Sequence, residues 1–288
     1  MYTFIINPTA GSGYSKSIVP QLRARMDVSG KAYQMLFTSR AGEATELAAK
    51  AAAEPGCEAV ICVGGDGTAF ETACGMVGTG APMGIIPAGT GNDFIKSTGT
   101  PKDPMEALTF ILTHQPRPVD FGRANDKSFI NVSGTGFDIQ VLDCTEKFKK
   151  HFKGLIPYML GLIQAIFTYK PSHLQVVIDG KAIEKDMLIC SVANGKIFGG
   201  GIPICPPAKI DDGLLDVVMV RHIPRWRIPF FLPALMMGKI TEVDLTTHIK
   251  AREVIMRSKG MRFNMDGEVT PIDEVHLSVQ PGALMLYW

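Results

Sequence analysis

The sequence predicts an α/β N-terminal domain, a parallel sheet with flanking helices, joined to a mainly antiparallel β-sandwich C-terminal domain. Three observations lead there. Strands and helices alternate with short loops over the first 115 residues, glycine-rich loops follow three of those strands, and Asp-Gly hairpin signals appear only later. The character changes near PRPVDFG, so the boundary is placed with residues 1–118 on one side and 119–288 on the other.

In chain order, YTFII reads as a strand, and a polar helical stretch follows the loop NPTAGSG. AYQMLF reads as a second strand, and EATELAAKAAAE is rich in strong helix formers. EAVICV is a third strand, with TAFETACGMV a helix that begins at the glycine loop. MGIIP is a fourth strand, followed by GTGNDF and a helix from Pro104 to about His114. Beyond the boundary, HLQVVIDGKAIEKDMLICSV and MRFNMDGEVT read as Asp-Gly hairpins, EVIMRS alternates as a strand does, and a single apolar helix is expected near 154–168. The right-handed crossover of parallel βαβ units places the loops after the strands on one edge, where such sheets bind ligands.

Composition narrows the class. With 288 residues, 46% hydrophobic and 20% charged, the chain reads as globular. A net charge of +1 gives no electrostatic case for nucleic acid as a partner. The six cysteines form no C-x-x-C pair, and Cys62 and Cys190 sit in apolar runs, which fits reduced thiols in a cytoplasmic protein. The histidines show no H-E-x-x-H or similar spacing, so no zinc site is expected. No signal peptide is visible, and the longest apolar segment, GLIPYMLGLIQAIF, is too short to span a bilayer.

The stretch VGGDGT carries the chemistry. Three glycines around an acid exceed what a turn requires, whereas they let backbone amides approach an anion at a helix N-terminus. Asp66 beside a bare phosphate is unfavourable, but it becomes sensible with Mg²⁺ between carboxylate and phosphate. NPTAGSG and GTGND, each after a strand, offer similar amides and hydroxyls. Taken singly, each of these two is equally an ordinary turn or a capped helix start. Neither a Walker A nor a G-x-G-x-x-G pattern is present. Together the loops point to a Mg-nucleotide site, with no reaction named.

The ordered set of motifs resembles the diacylglycerol kinase catalytic-domain family, which includes soluble bacterial diacylglycerol kinases and the sphingosine and ceramide kinases. NPTAG, the threonine of TSRAGEATELA, GGDGT, PAGTGNDF, VDFGRAN, PPAKIDDGLLDV and MDGE carry the resemblance across nearly the whole chain. It implies an N-terminal domain like that of NAD kinase and phosphofructokinase, and an ATP- and Mg²⁺-dependent lipid kinase acting most readily on diacylglycerol to give phosphatidic acid. By the resemblance, Asn7, Pro8, Thr9, Ala10, Gly11, Thr38, Gly64, Gly65, Gly67, Thr68, Thr90 and Asn92 line the ATP site. Asp66 acts through Mg²⁺, Asp93 and Asp120 join the carboxylate network around it, and Glu268 is the general base. Asp212, with the carbonyls of Lys209 and Leu214, matches a structural Mg²⁺ site. One departure is PYMLGL, which lacks a lysine that some members carry past an aromatic pair.

Two stretches are candidates for reversible contact with a bilayer. KFKKHFKGLIPYMLGLIQAIF places Lys147, Lys149, Lys150 and Lys153 before an apolar helix, and RHIPRWRIPFFLPALMMGK sets arginines among aromatics. The expected location is cytoplasmic and peripheral to the membrane, and an unpaired edge of the β domain is a natural homodimer surface. Two rival readings stay open: an NAD kinase, which shares GGDGT but usually follows it with G-x-x-G-F-L, and a binding protein that has lost catalysis.

Overall fold

Alternation within the first strands decides how the N-terminal half is layered. The computed structural model describes residues 1–152 and 156–288. Strands β1 (Tyr2–Ile6), β2 (Tyr33–Phe37), β3 (Ala59–Gly64) and β4 (Pro82–Pro87) lie in the order β4-β3-β1-β2, with every neighbouring pair parallel. Between and after them run α1 (Tyr14–Ser17), α2 (Val19–Ser29), α3 (Glu43–Ala53), α4 (Asp66–Met76) and α5 (Pro104–Thr113). Successive side chains of a strand point to opposite faces. Ile5, Val60 and Cys62 therefore pack with the alanines of α3 and α4. Phe4, Ile61 and Val63 pack with Leu22 and Met26 of α2 and with Leu108 and Ile111 of α5.

Local chemistry sets the helices. The alanine faces bring α3 and α4 so close that a Cβ on Gly75 would stand 2.3 Å from the Thr45 carbonyl oxygen. α2 is mostly polar and is anchored by Val19, Leu22 and Met26, spaced three and four residues apart. Burial of each contributes roughly 1.5–3 kcal/mol. α5 starts at Pro104, and Asp103 caps it by accepting from the Met105 and Glu106 N–H groups at 2.9 and 3.0 Å.

The C-terminal half contains β5 (Arg117–Ala124), β6 (Lys127–Phe129), β7 (Val132–Gly136), α6 (Phe137–Lys149), α7 (Ile156–Thr168), β8 (Ser172–Ile178), β9 (Lys181–Ala193), β10 (Leu215–Arg221), α8 (Ile228–Met236), β11 (Thr246–Ala251), β12 (Glu253–Met265) and β13 (Glu268–Leu286). Its strands pair antiparallel among themselves. The long strands β9 and β12 both pair with β8 at one end and with β7 at the other. Both expected hairpins turn on Asp-Gly with positive φ at each residue: Asp179 and Gly180 at 44° and 83°, Asp266 and Gly267 at 45° and 100°.

Three features depart from the sequence expectation. β13 ends parallel to β4, with Met285 opposite Pro82 and Leu286 opposite Met83, so one 13-stranded network runs through both halves. α6 is a helix in addition to the single one expected in this half, and it packs against α7. α8 forms despite Pro229 and Pro233, with Ile228, Phe231 and Leu235 buried on one side. The apolar helix expected near 154–168 is α7. Of the basic residues before it, Lys153 lies outside the described residues, as does the side chain of Lys149. No helix among the described residues is long and apolar enough to cross a membrane.

Candidate active site

Three loops at the strand ends meet because glycine lets their backbones touch. A Cβ on Gly89 would stand 2.3 Å from Gly65 Cα, and one on Gly11 would stand 2.4 Å from the Ala88 carbonyl oxygen. Backbone bonds tie the loops together: Asn7 N–H to the Val63 carbonyl at 3.1 Å, Ala88 N–H to Gly64 at 2.8 Å, and Thr38 N–H to Ile6 at 2.9 Å. Asn7 Nδ2 donates to Thr68 Oγ1 at 3.1 Å, while its Oδ1 accepts from the Thr9 N–H and hydroxyl. Asn92, at φ 49°, clips its own loop by accepting from Gly89 N–H at 3.0 Å and donating to the Gly89 carbonyl at 2.9 Å.

The meeting point is a cleft of about 500 Å³. Asn7, Thr9, Ala10, Gly11, Thr38, Gly65, Gly67, Thr68 and Thr90 line it, whereas Pro8, Gly64 and Asn92 are not among its lining residues. Arg40 and Glu71 also line it, and sequence reasoning missed both. The only local signal for Arg40 was its place beside Thr38. Its guanidinium is paired with Glu46 at 2.7 and 2.8 Å.

Asp66 opens α4 at the floor of these loops. Its Oδ1 accepts from the Asp93 and Phe94 N–H groups at 2.6 and 3.1 Å, and its Oδ2 faces Gly91, where a Cβ would stand 2.8 Å away. Burial pushes the Asp66 carboxyl above its usual range, and the neighbouring Asp93 charge adds to that. Asp93 is itself buried, with Lys96 Nζ on one oxygen at 2.7 Å and Gly200 N–H on the other at 2.6 Å.

A second cavity, about 440 Å³, opens on the other side of Asp66. Asp66, Asp93 and Asp266 are among its acids, and Phe70, Phe94, Phe137, Leu162, Ile189 and Leu232 are among its apolar walls. The neighbours of Asp66 in sequence, Gly65 and Gly67, line the first cleft instead. Asp66 therefore stands on the partition between a polar, glycine-lined cleft and an apolar cavity.

The Asp266–Gly267 turn reaches this partition. The Asp266 carboxylate accepts from the N–H groups of Ile130, Asn131 and Val132 at 2.6, 3.1 and 3.0 Å. Burial nevertheless pushes it up to about 7. Sequence reasoning quoted MDGE but assigned a role only to its glutamate. Glu268 is the first residue of β13, exposed and directly opposite Met265. Burial pushes the Cys74 thiol up to about 12, with the charges of Asp266, Glu71 and Glu268 adding to it.

Asp120 and the expected metal ligands are held elsewhere. Asp120 Oδ2 accepts from Gly213 N–H at 2.6 Å and Oδ1 from Gly282 N–H at 2.9 Å, so its bonds go to the 209–214 loop and to β13 rather than to the Asp66 loops. Asp212 Oδ1 accepts from Leu214 N–H at 3.2 Å and its Oδ2 from Lys250 Nζ at 2.6 Å. Lys209 is exposed on that same loop.

A polar, glycine-lined cleft of about 500 Å³ and an apolar cavity of about 440 Å³ thus meet at the half-buried Asp66. The diacylglycerol kinase catalytic domain matches residues 1–124, and the YegS C-terminal NAD kinase beta sandwich-like domain matches residues 131–288. A diacylglycerol kinase of Mycobacterium tuberculosis (strain ATCC 25618 / H37Rv) is 30% identical over 99% of this chain and 94% of its own. A YegS-like lipid kinase of Pseudomonas putida is 30% identical over 90% of this chain and 86% of its own. A solved structure from Bacillus anthracis str. Sterne, described as a diacylglycerol kinase, aligns with a TM-score of 0.78 at 27% identity, covering 100% of this chain and 96% of that one. The chain belongs to the diacylglycerol kinase family and is an enzyme of the lipid kinase class.

Proposed function

We propose that the chain transfers the γ-phosphate of ATP to a lipid hydroxyl, with diacylglycerol the first acceptor to test and phosphatidic acid its product. Residues 1–118 hold the nucleotide in this reading, and 119–288 hold the lipid. The observation that carries it is the position of Asp66 between the two cavities. Gly11, Thr90 and Thr68, the last at the start of α4, bind the phosphates through backbone N–H and hydroxyl groups, and Asn7 orients Thr68 through its Nδ2. The half-buried Asp66, whose Oδ2 has no backbone donor among the described residues, and the buried Asp93 beside it fit Mg²⁺, which would supply neutralisation of the phosphate oxygens. Phe70, Leu162 and Leu232 exclude water from the acceptor and hold its chains. Glu268, at the hairpin whose Gly267 lines the lipid cavity, takes the proton as the hydroxyl oxygen bonds to phosphorus and ADP leaves.

The deciding assay follows ATP- and Mg²⁺-dependent phosphorylation of a panel of lipid hydroxyls in mixed micelles, with NAD as control acceptor and Glu268→Gln beside the wild type. Diacylglycerol is expected to be labelled, and the variant to lose roughly 10²–10⁴-fold in kcat with KM little changed. Label on NAD alone would refute the lipid reading, and an unaffected variant would refute the base assignment.

The lipid cavity opens beside an apolar surface. Leu162 of α7 and Leu232, Leu235 and Met236 of α8 line it, while Met159, Ile163 and Phe167 of α7 and Trp226, Phe230 and Met237 near α8 project outward. Trp226 and Phe230 are 70% and 78% exposed, with the Arg227 guanidinium 5.8 Å from the Trp226 ring. This face suits peripheral contact with an anionic bilayer in the cytoplasm. The double variant Trp226→Ala/Phe230→Ala is expected to bind anionic vesicles at least tenfold more weakly in co-sedimentation, while phosphorylation of a short-chain soluble acceptor is retained. Equal binding by both proteins would eliminate this surface. A second copy pairing along the free edge of β11 is the homodimer this reading admits.

A further inference from the structure

Carboxylates gather at the loop of residues 209–214. Asp211 and Asp212 lie on it, Asp120 is bonded into it through Gly213, and Asp216 follows on β10 with no solvent exposure at all. Such a gathering of carboxylates demands a cation. The family resemblance supplies one as a divalent ion on Asp212 and the carbonyls of Lys209 and Leu214.

The geometry supplies it differently. Asp216 on β10 pairs directly with Lys250 on β11, so the lysine stem runs over the loop. Lys250 Nζ donates to Asp212 Oδ2 at 2.6 Å and to Asp216 Oδ2 at 3.3 Å. Two residues earlier on the same face of β11, His248 Nε2 pairs with Asp216 Oδ1 at 2.6 Å. The remaining oxygen of Asp212 is occupied by the Leu214 N–H. Each oxygen of both carboxylates thus has a partner.

We propose that the Lys250 ammonium is the resident cation of this loop, standing where the resemblance implies a divalent ion, so that the 209–214 segment holds its shape without metal. A lysine at this rung of an edge strand does by covalent attachment what an ion does by binding, and its presence does not depend on the metal concentration. The proposal is independent of which lipid accepts the phosphate.

The test uses the full chain, freed of nucleotide and treated with chelator, in an Asp66→Asn background that silences the catalytic Mg²⁺ position. Mg²⁺ and Ca²⁺ are the probes, since both prefer oxygen donors and disfavour the thiol of Cys205, which lies 3.8 Å from His248 Nε2. Adding either ion is expected to leave the Tm of this protein unchanged. Lys250→Met, which keeps the stem and removes the charge, is expected to lower Tm by several degrees in chelator. Millimolar Mg²⁺ or Ca²⁺ should then restore it, and a further Asp212→Asn change should abolish the rescue. A metal-induced rise in Tm with Lys250 intact that disappears in Asp212→Asn would overturn the proposal, as would a Lys250→Met protein indifferent to chelator and ion alike. The arm with Lys250 intact decides the matter even if the methionine variant fails to fold.

Discussion

Asp66→Asn is expected to lower kcat for lipid phosphorylation by about 10²–10³-fold, equivalent to roughly 3–4 kcal/mol of transition-state stabilisation, with little loss of stability. Asparagine keeps one carbonyl oxygen, and that oxygen suffices for the N–H groups of Asp93 and Phe94 that Oδ1 now accepts. The loops therefore stay in place. What changes is the atom facing Gly91: an oxygen bearing negative charge becomes an NH₂ donor that repels a divalent cation. Nucleotide binding measured with and without Mg²⁺ separates the two effects. Metal-free ATP should bind the variant at least as well as the wild type, since a negative charge beside the phosphates is gone, while the gain from Mg²⁺ should vanish. A variant that turns over within a few-fold of the wild type would remove Asp66 from the centre of the mechanism.

Asp266→Ala is expected to destabilise the protein by about 3–4 kcal/mol and to abolish activity even where the chain remains folded. The substitution strands three backbone N–H groups, those of Ile130, Asn131 and Val132, in a poorly hydrated place, and alanine is strained at φ 45°. The same bonds seat the hairpin that carries Glu268, so loosening them displaces that carboxylate. Asp266→Asn tolerates the left-handed backbone and retains one acceptor, so it should cost less, about 1–2 kcal/mol.

The pH dependence separates charge from geometry at this residue. The folded Asp266 carboxyl titrates at about 7, raised by burial above the usual carboxylate range. A raised folded pKa means the stabilising contribution is complete below the unfolded value of about 4 and is lost as pH rises through about 7. Chemical denaturation from acid to neutral pH should show the wild type losing stability relative to Asp266→Asn across that window. A constant difference between the two would show that the carboxyl titrates as an ordinary exposed one.

How much of this was legible beforehand depends on the range of the interactions involved. The strands and helices of residues 1–118 read correctly because YTFII, EAVICV and EATELAAKAAAE carry their own period and propensity. Both Asp-Gly hairpins were equally local. The convergence of NPTAG, GGDGT and GTGND was suggested by glycine content, since only residues without a Cβ let three backbones meet within contact distance. Arg40, Glu71 and the full role of Asp266 were not visible: Glu71 and Asp266 are held by partners tens to more than a hundred residues away, Ala44 for Glu71 and Ile130 to Val132 for Asp266, and Arg40 lines the cleft only because its loop meets the others there.

The sequence by itself determined the element types, the positions of the glycine turns and the acids available for phosphate chemistry, because these depend on φ preference, side-chain period and charge, which are properties of short segments. Only the tertiary structure decided that β13 returns to β4 and that Asp66 divides two cavities. It also decided that Asp120 belongs to the 209–214 loop and that Lys250 reaches Asp212. Each of those outcomes rests on a contact between segments whose pairing is chosen by burial of the whole core, and no short window of the chain contains that information.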